Sequence, residues 1–202
     1  MADKVTIVNR ALALVGAEPI TSLTDNTPEA KIANRLYDES RKSILSETLW
    51  NSATKRAALN QAVVTLPFVL DDATFVFQLP SDIIRIFGVS ADNINWRIEQ
   101  QLLIADTNEI GILYVYNQTD TTKWSSSFVD AFADKLAADM AYSITNSSTM
   151  ASDLLKKYDG VSLPRAMTEN AQVGTPPDIK DDLWSYARFG FSPVGSRGRR
   201  IA

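Results

Sequence analysis

The hydrophobic period changes twice along this chain, and that change limits the folds open to it. On either side of the middle, apolar side chains recur at three- and four-residue spacing, the period of a helix. From Val63 to Asn117 they come instead in short runs rich in β-branched and aromatic residues, the texture of strands. Neither pattern can serve the other structure. The chain therefore reads as α+β: a bundle of about four helices with a small antiparallel β domain inserted and an extended C-terminal arm. The expected boundaries are 1–60 for the N-terminal helices, 61–122 for the β-rich domain, 123–173 for the C-terminal helices and 174–202 for the arm.

Local signals mark the helices. Asp3 can cap a helix over 3–15, and Gly16 can end it in a left-handed conformation. Val5, Val8, Leu12 and Val15 share one face, while Ile7 and Leu14 lie off it with Ala11 between. So wide an apolar arc calls for burial on two sides, either as a central core helix or with the second side against a neighbouring subunit. Thr27-Pro28-Glu29 is a strong start for a second helix running to about Trp50. Ala30, Ala33, Tyr37, Ser40 and Ile44 form its narrow, small-residue stripe. The charges of "YDESRKSILSETLW" fall elsewhere on the wheel and read as a solvated face, with Asp38 and Lys42 as an i,i+4 pair worth about 0.2–0.5 kcal/mol. Trp50 marks where this helix meets something apolar. A third helix begins at Ser125, its apolar face running from Val129 to Ile144 with Asp130, Asp134 and Tyr142 away from it. The segment 149–172 suits a helix broken or kinked at Asp159-Gly160 and Leu163-Pro164.

In the middle, "VVTLPFV", "FVFQLP", "IIRIFGVS", "WRIEQQLLI" and "IGILYVYN" read as four or five antiparallel strands. They are separated by Asp71-Asp72, Pro80-Ser81-Asp82, Asp92-Asn93 and Thr107-Asn108.

Composition closes off most chemistry. The 202 residues include no histidine and no cysteine. That excludes a Ser-His-Asp triad, a histidine zinc site, an HExxH protease site, disulfides and cysteine nucleophiles. No glycine-rich phosphate loop, EF-hand spacing or dinucleotide fingerprint is present, so no cofactor or metal is expected. The adjacent carboxylates Asp71-Asp72 and Asp181-Asp182 read as turn or capping residues, because glycosidase chemistry needs two carboxylates facing each other about 5–9.5 Å apart. The net charge of −4 gives no global basic surplus for wrapping nucleic acid. "VTIVNRALALVG" is too short and too interrupted by Arg10 for a membrane span or export signal, so no membrane association is expected.

The arm is distinct in composition. After "GTPPD" come Trp184, Tyr186, Phe189 and Phe191, together with Arg188, Arg197, Arg199 and Arg200 and a glycine-rich end. Four aromatics in eight residues should dock on the protein's own body or on a partner.

Taken in order, "NRALALVGAEPITSLTDNTPEAKIANRLYDESRKSILSETLW", "FQLPSDIIRI", "WRIEQQLLIAD", "LYVYN" and "DAFADKLAADMAYSIT" resemble the tail tubular protein A family, the head-to-tail adaptors of short-tailed bacteriophages. The resemblance covers most of residues 5–170. Gly160 with Pro164 departs from the family's more continuous last helix, and the arm matches least. The resemblance implies a non-enzymatic structural virion protein, assembled in the host cytoplasm and located at the head–tail junction. It implies a homo-oligomeric ring, dodecameric in the family, joining the portal protein to the tail nozzle protein. DNA would pass through its lumen during ejection without being read. The arm from Pro176, through Trp184, Tyr186, Arg188, Phe189, Phe191, Arg197, Arg199 and Arg200, would bind the portal, with Ile7, Leu14 and Trp50 as candidates for the subunit interface. The alternative is a carboxylate-dependent glycan hydrolase acting at the host envelope.

Overall fold

The computed structural model describes residues 3–64, 68, 73–90 and 94–173. The fold is α+β. Its helices are α1 (Lys4–Val15), α2 (Pro28–Glu47), α3 (Ser126–Thr145), α4 (Ser148–Lys157) and α5 (Leu163–Ala171). Its strands are β1 (Thr54–Ala58), β2 (Phe75–Gln78), β3 (Ile83–Val89), β4 (Trp96–Glu99), β5 (Leu102–Ala105) and β6 (Gly111–Tyr116).

The helix starts follow the side-chain caps. The Asp3 carboxylate accepts from the Thr6 N–H at 2.7 Å, and Gly16 closes α1 at φ 72°. Thr27, Ser125 and Ser147 cap α2, α3 and α4 in the same way. Helix α2 stops at Glu47, short of Trp50, because the chain turns extended at Thr48. Trp50 then folds back, and its indole N–H donates to the Ile44 carbonyl at 2.8 Å, one of the carbonyls that the end of a helix leaves unpaired.

Of the break or kink expected at Asp159-Gly160 and Leu163-Pro164, the break does not occur, and an irregular turn stands at that place instead. Tyr158–Ser162 is a π-helical turn, with helical dihedrals continuing from Lys157 to Leu163, so α4 and α5 make one rod and the bundle has four among the described residues. The wider turn absorbs Gly160, and Pro164 falls in the first turn of α5, where a missing N–H costs least.

The central helix is α3, which meets α1, α2, α4 and α5. Ala131, Ala133, Ala137 and Ala141 are fully buried and let its neighbours approach closely, while Phe128, Phe132, Leu136 and Met140 supply bulk. Phe132 meets Tyr37 and Trp124 edge to face, and Phe128 meets Trp50 and Trp124 in the same way, with ring centroids 4.8–5.5 Å apart. Asp134, expected on the open side of α3, is buried, because Lys157 and Ser162 of the last rod both donate to its carboxylate.

Among the described residues the β module holds six strands where four or five were expected. β1-β6-β3 form one antiparallel sheet and β2-β5-β4 a second. β1 lies in "TKRAA", ahead of the expected boundary at residue 61, and is joined to β6 along its whole length. "WRIEQQLLI" is a hairpin rather than one strand: the chain reverses at Gln100, φ 56°, so that β4 pairs back on β5. The expected strand "VVTLPFV" lies largely outside the described residues, and Val63 and Val64 join no strand.

The sheets meet face to face through Phe77, Leu103 and Ala105 of one and Ile112 and Tyr114 of the other. The opposite face of β6 presents Val115 to the bundle core, so the first sheet stands between bundle and second sheet. Three polar ties hold the junction. Arg85 donates to the Ser46 carbonyl at 2.8 Å, Arg41 to the Asn117 side chain at 3.0 Å, and Asn170 exchanges hydrogen bonds with Leu49 and Asn51.

Candidate assembly surfaces

The residues singled out in the sequence divide sharply. Trp184, Tyr186, Arg188, Phe189, Phe191, Arg197, Arg199 and Arg200 lie outside the described residues, as do Asp71-Asp72 and Asp181-Asp182. Ile7 and Trp50, expected at a subunit interface, are each 1% exposed within the single chain. They are corrected to core residues: the wide apolar arc of α1 is filled by α3, and Trp50 is enclosed by Phe128 and its own helix end. Leu14 is half-buried against the same core.

The charged run of α2 is not uniformly wet. Glu39 and Lys42 are exposed, but the Arg41 side chain retains only 3% of its exposure. Asp38 pairs with Arg41 at 2.5 Å, in place of the expected Lys42. The other arm of the guanidinium reaches Asn117 just past β6, so Arg41 ties the bundle to the β module rather than facing solvent. Its Nε and the hydroxyl of neighbouring Tyr37 have no partner among the described residues. Burial pushes the Tyr37 phenol up, and does the same to Tyr158.

The other carboxylates do structural work as well. Asp139 accepts from Ser40 at 2.5 Å and Lys135 at 2.9 Å, binding α2 to α3. Asp82 accepts from Lys55 at 2.7 Å, and this pairing raises the lysine's pKa. Asp25 gathers Thr21 and Ser22 into a tight loop, whose base is held by Asn9 exchanging two 2.8 Å hydrogen bonds with Ile20. A cleft of about 800 Å³ opens at one end of the first sheet, between Leu59, Val89 and Ile112, with Arg56 and Glu109 on its rim. Among the described residues, no group of three or more acidic, histidine or cysteine side chains converges to hold a metal, and no helix is long and apolar enough to cross a membrane.

Apolar surface left uncovered is a clearer feature. On the β module, Trp96 and Ile98 of β4 and Phe87 of β3 are exposed, with the Arg85 guanidinium 4.9 Å from the Phe87 ring centre. On the helices, Tyr142, Leu155, Val161 and Met167 are exposed, Val161 to 61%. The helical set was legible only in part. Tyr142 lies away from the apolar face of α3, as its sequence position indicates, whereas Val161 and Met167 follow a π turn that shifts the phase of every position after Lys157. No known family model matches the chain, and no match was found among curated proteins.

Proposed function

We propose that this chain is a structural virion protein: a head-to-tail adaptor that joins a portal to a tail nozzle as part of a ring around the DNA ejection channel. The reading starts from the likeness of residues 5–170 to the tail tubular protein A family. One observation carries it further: exposed large apolar residues other than those of the β4 edge lie on both modules of the chain, Phe87 on the sheets and Tyr142, Leu155, Val161 and Met167 on the helices. A chain with uncovered apolar surface in two separate places is suited to heterologous contacts, in which one patch meets a different patch on the next copy and the series closes as a ring. Its mechanism is assembly without turnover. Apolar burial drives ring closure, the arm from Pro176 grips the portal, and the mild net negative charge of −4 keeps DNA from adhering to the lumen.

Electron microscopy of purified portal mixed with this protein tests the reading, with the expected result a ring of added density on one face of the portal. Deleting residues 176–202 should leave a folded protein that portal no longer retains in a pull-down. Portal particles that stay bare with the full chain would defeat the adaptor assignment, and retention of the truncated chain would defeat the role given to the arm.

A further inference from the structure

The β2-β5-β4 sheet ends on β4, whose outer edge pairs with no strand among the described residues. Natural edge strands are usually protected by lysine, proline or a bulge. β4, with the sequence Trp96-Arg97-Ile98-Glu99, has no lysine, proline or bulge; it is guarded by its four-residue length and by the charges of Arg97 and Glu99, and it pairs with β5 in unbroken register. Ile98 stands opposite Leu103, which stands opposite Phe77, so Trp96 and Ile98 project from the inner face of the sheet. They remain 39% and 47% exposed there, beyond the cover of the first sheet. Arg97 and Glu99 project from the other face and pair with each other at 2.6 Å.

We infer that β4 is a self-pairing edge, on which a second copy of this chain adds its own β4 antiparallel about a two-fold axis through Ile98. The strand is complementary to itself in that one register. Arg97 of each copy falls opposite Glu99 of the other, so the pair within each strand becomes an alternating quartet of charges. On the inner face, Ile98 meets its own counterpart, with both Trp96 rings within diagonal reach. A foreign strand would need an acid and a base two residues apart around an apolar residue, which β4 itself supplies. The product is a continuous six-stranded sheet. The contact is isologous, so it joins two copies and stops. It therefore differs from ring-forming contacts and does not rest on the adaptor reading.

The chain has no cysteine, which makes the register directly testable. Only position 98 faces itself across the axis. In the full-length chain under mild oxidation, I98C should form a covalent dimer faster than W96C or E99C. In sedimentation, the unmodified chain should show a species of twice its 22.3 kDa mass. I98K, which sets two lysines against each other, should raise the dissociation constant by about tenfold or more with circular dichroism unchanged. E99R should weaken the dimer likewise, and adding R97E to it should restore pairing. A chain that stays monomeric at every concentration, I98C that cross-links no faster than its neighbours, or self-association unmoved by I98K would each overturn the inference.

Discussion

The bundle and the β module solve the same burial problem with different completeness. In the bundle, one helix is surrounded: α3 has α1, α2 and the α4–α5 rod around it, and its aromatic residues interlock with Tyr37, Trp50 and Trp124. Even its buried charge is satisfied, since Asp134 receives Lys157 and Ser162. The β module divides its apolar residues between two small clusters and leaves Trp96 and Ile98 half uncovered at an edge. Two three-stranded sheets have few positions that are covered on every side, whereas a helix ringed by others is covered along its whole length. The bundle thus has the more complete core, while apolar surface stays open at the sheet edge and at Tyr142, Leu155, Val161 and Met167 on the helices.

This contrast can be broken by mutation. Phe128→Ala should have the largest effect, about 3–5 kcal/mol by urea unfolding, because its ring is fully buried among Trp50, Trp124 and Phe132. Asp134→Ala should cost about 2 kcal/mol in the same measurement by stranding the Lys157 and Ser162 donors. Thr27→Ala should cost about 1 kcal/mol through loss of the α2 cap. Ile98→Ala, measured at concentrations low enough to keep chains apart, should cost about 1 kcal/mol or less. An Ile98→Ala penalty equal to that of Phe128→Ala would erase the distinction between the modules.

Acidification should narrow it. The Thr6 side chain holds Asp3 below the ordinary carboxylate value, the Ser22 backbone N–H does so for Asp25, and the Thr122 side chain for Asp120. Glu169 of α5 is lowered as well, first by Ser127 and then by Arg165. Each takes up its proton in the unfolded chain before the folded one. The stability they contribute is therefore complete above the ordinary carboxylate range and lost as pH falls through it. All four belong to the helices or the segments joining them. Hydrogen exchange as pH drops below about 4 should accordingly show the helices losing part of their margin of protection over β5 and β6. With no histidine to titrate, unfolding midpoints should stay flat between about pH 6 and 8.

What could be read from the sequence was what depends on near neighbours. Asp3, Gly16, Thr27 and Ser125 announce helix ends because a cap is made within a few residues. β1 was missed because "TKRAA" has no strand composition of its own; it is an edge strand, extended because β6 lies alongside. The β4–β5 turn was missed because Gln100 takes a positive φ that usually signals glycine or asparagine. Arg41 was misread as wet because its burial depends on Asn117, 76 residues away. For the surfaces, exposed and buried apolar residues look alike in one dimension. Ile7 and Ile98 differ only in what the fold brings over them, which is why the first was misassigned to an interface and the second passed unnoticed.

The central place of α3 has a consequence for biosynthesis. Residues 4–47 leave the ribosome well before the helix they must cover, and the whole of 54–116 is made in the interval. The sheets, contiguous in the chain, can form while α1 and α2 still lack the surface they will be buried against. The bundle core therefore cannot close until α3 and the rod after it are made, and Asn170 must emerge before it can clasp Leu49 and Asn51.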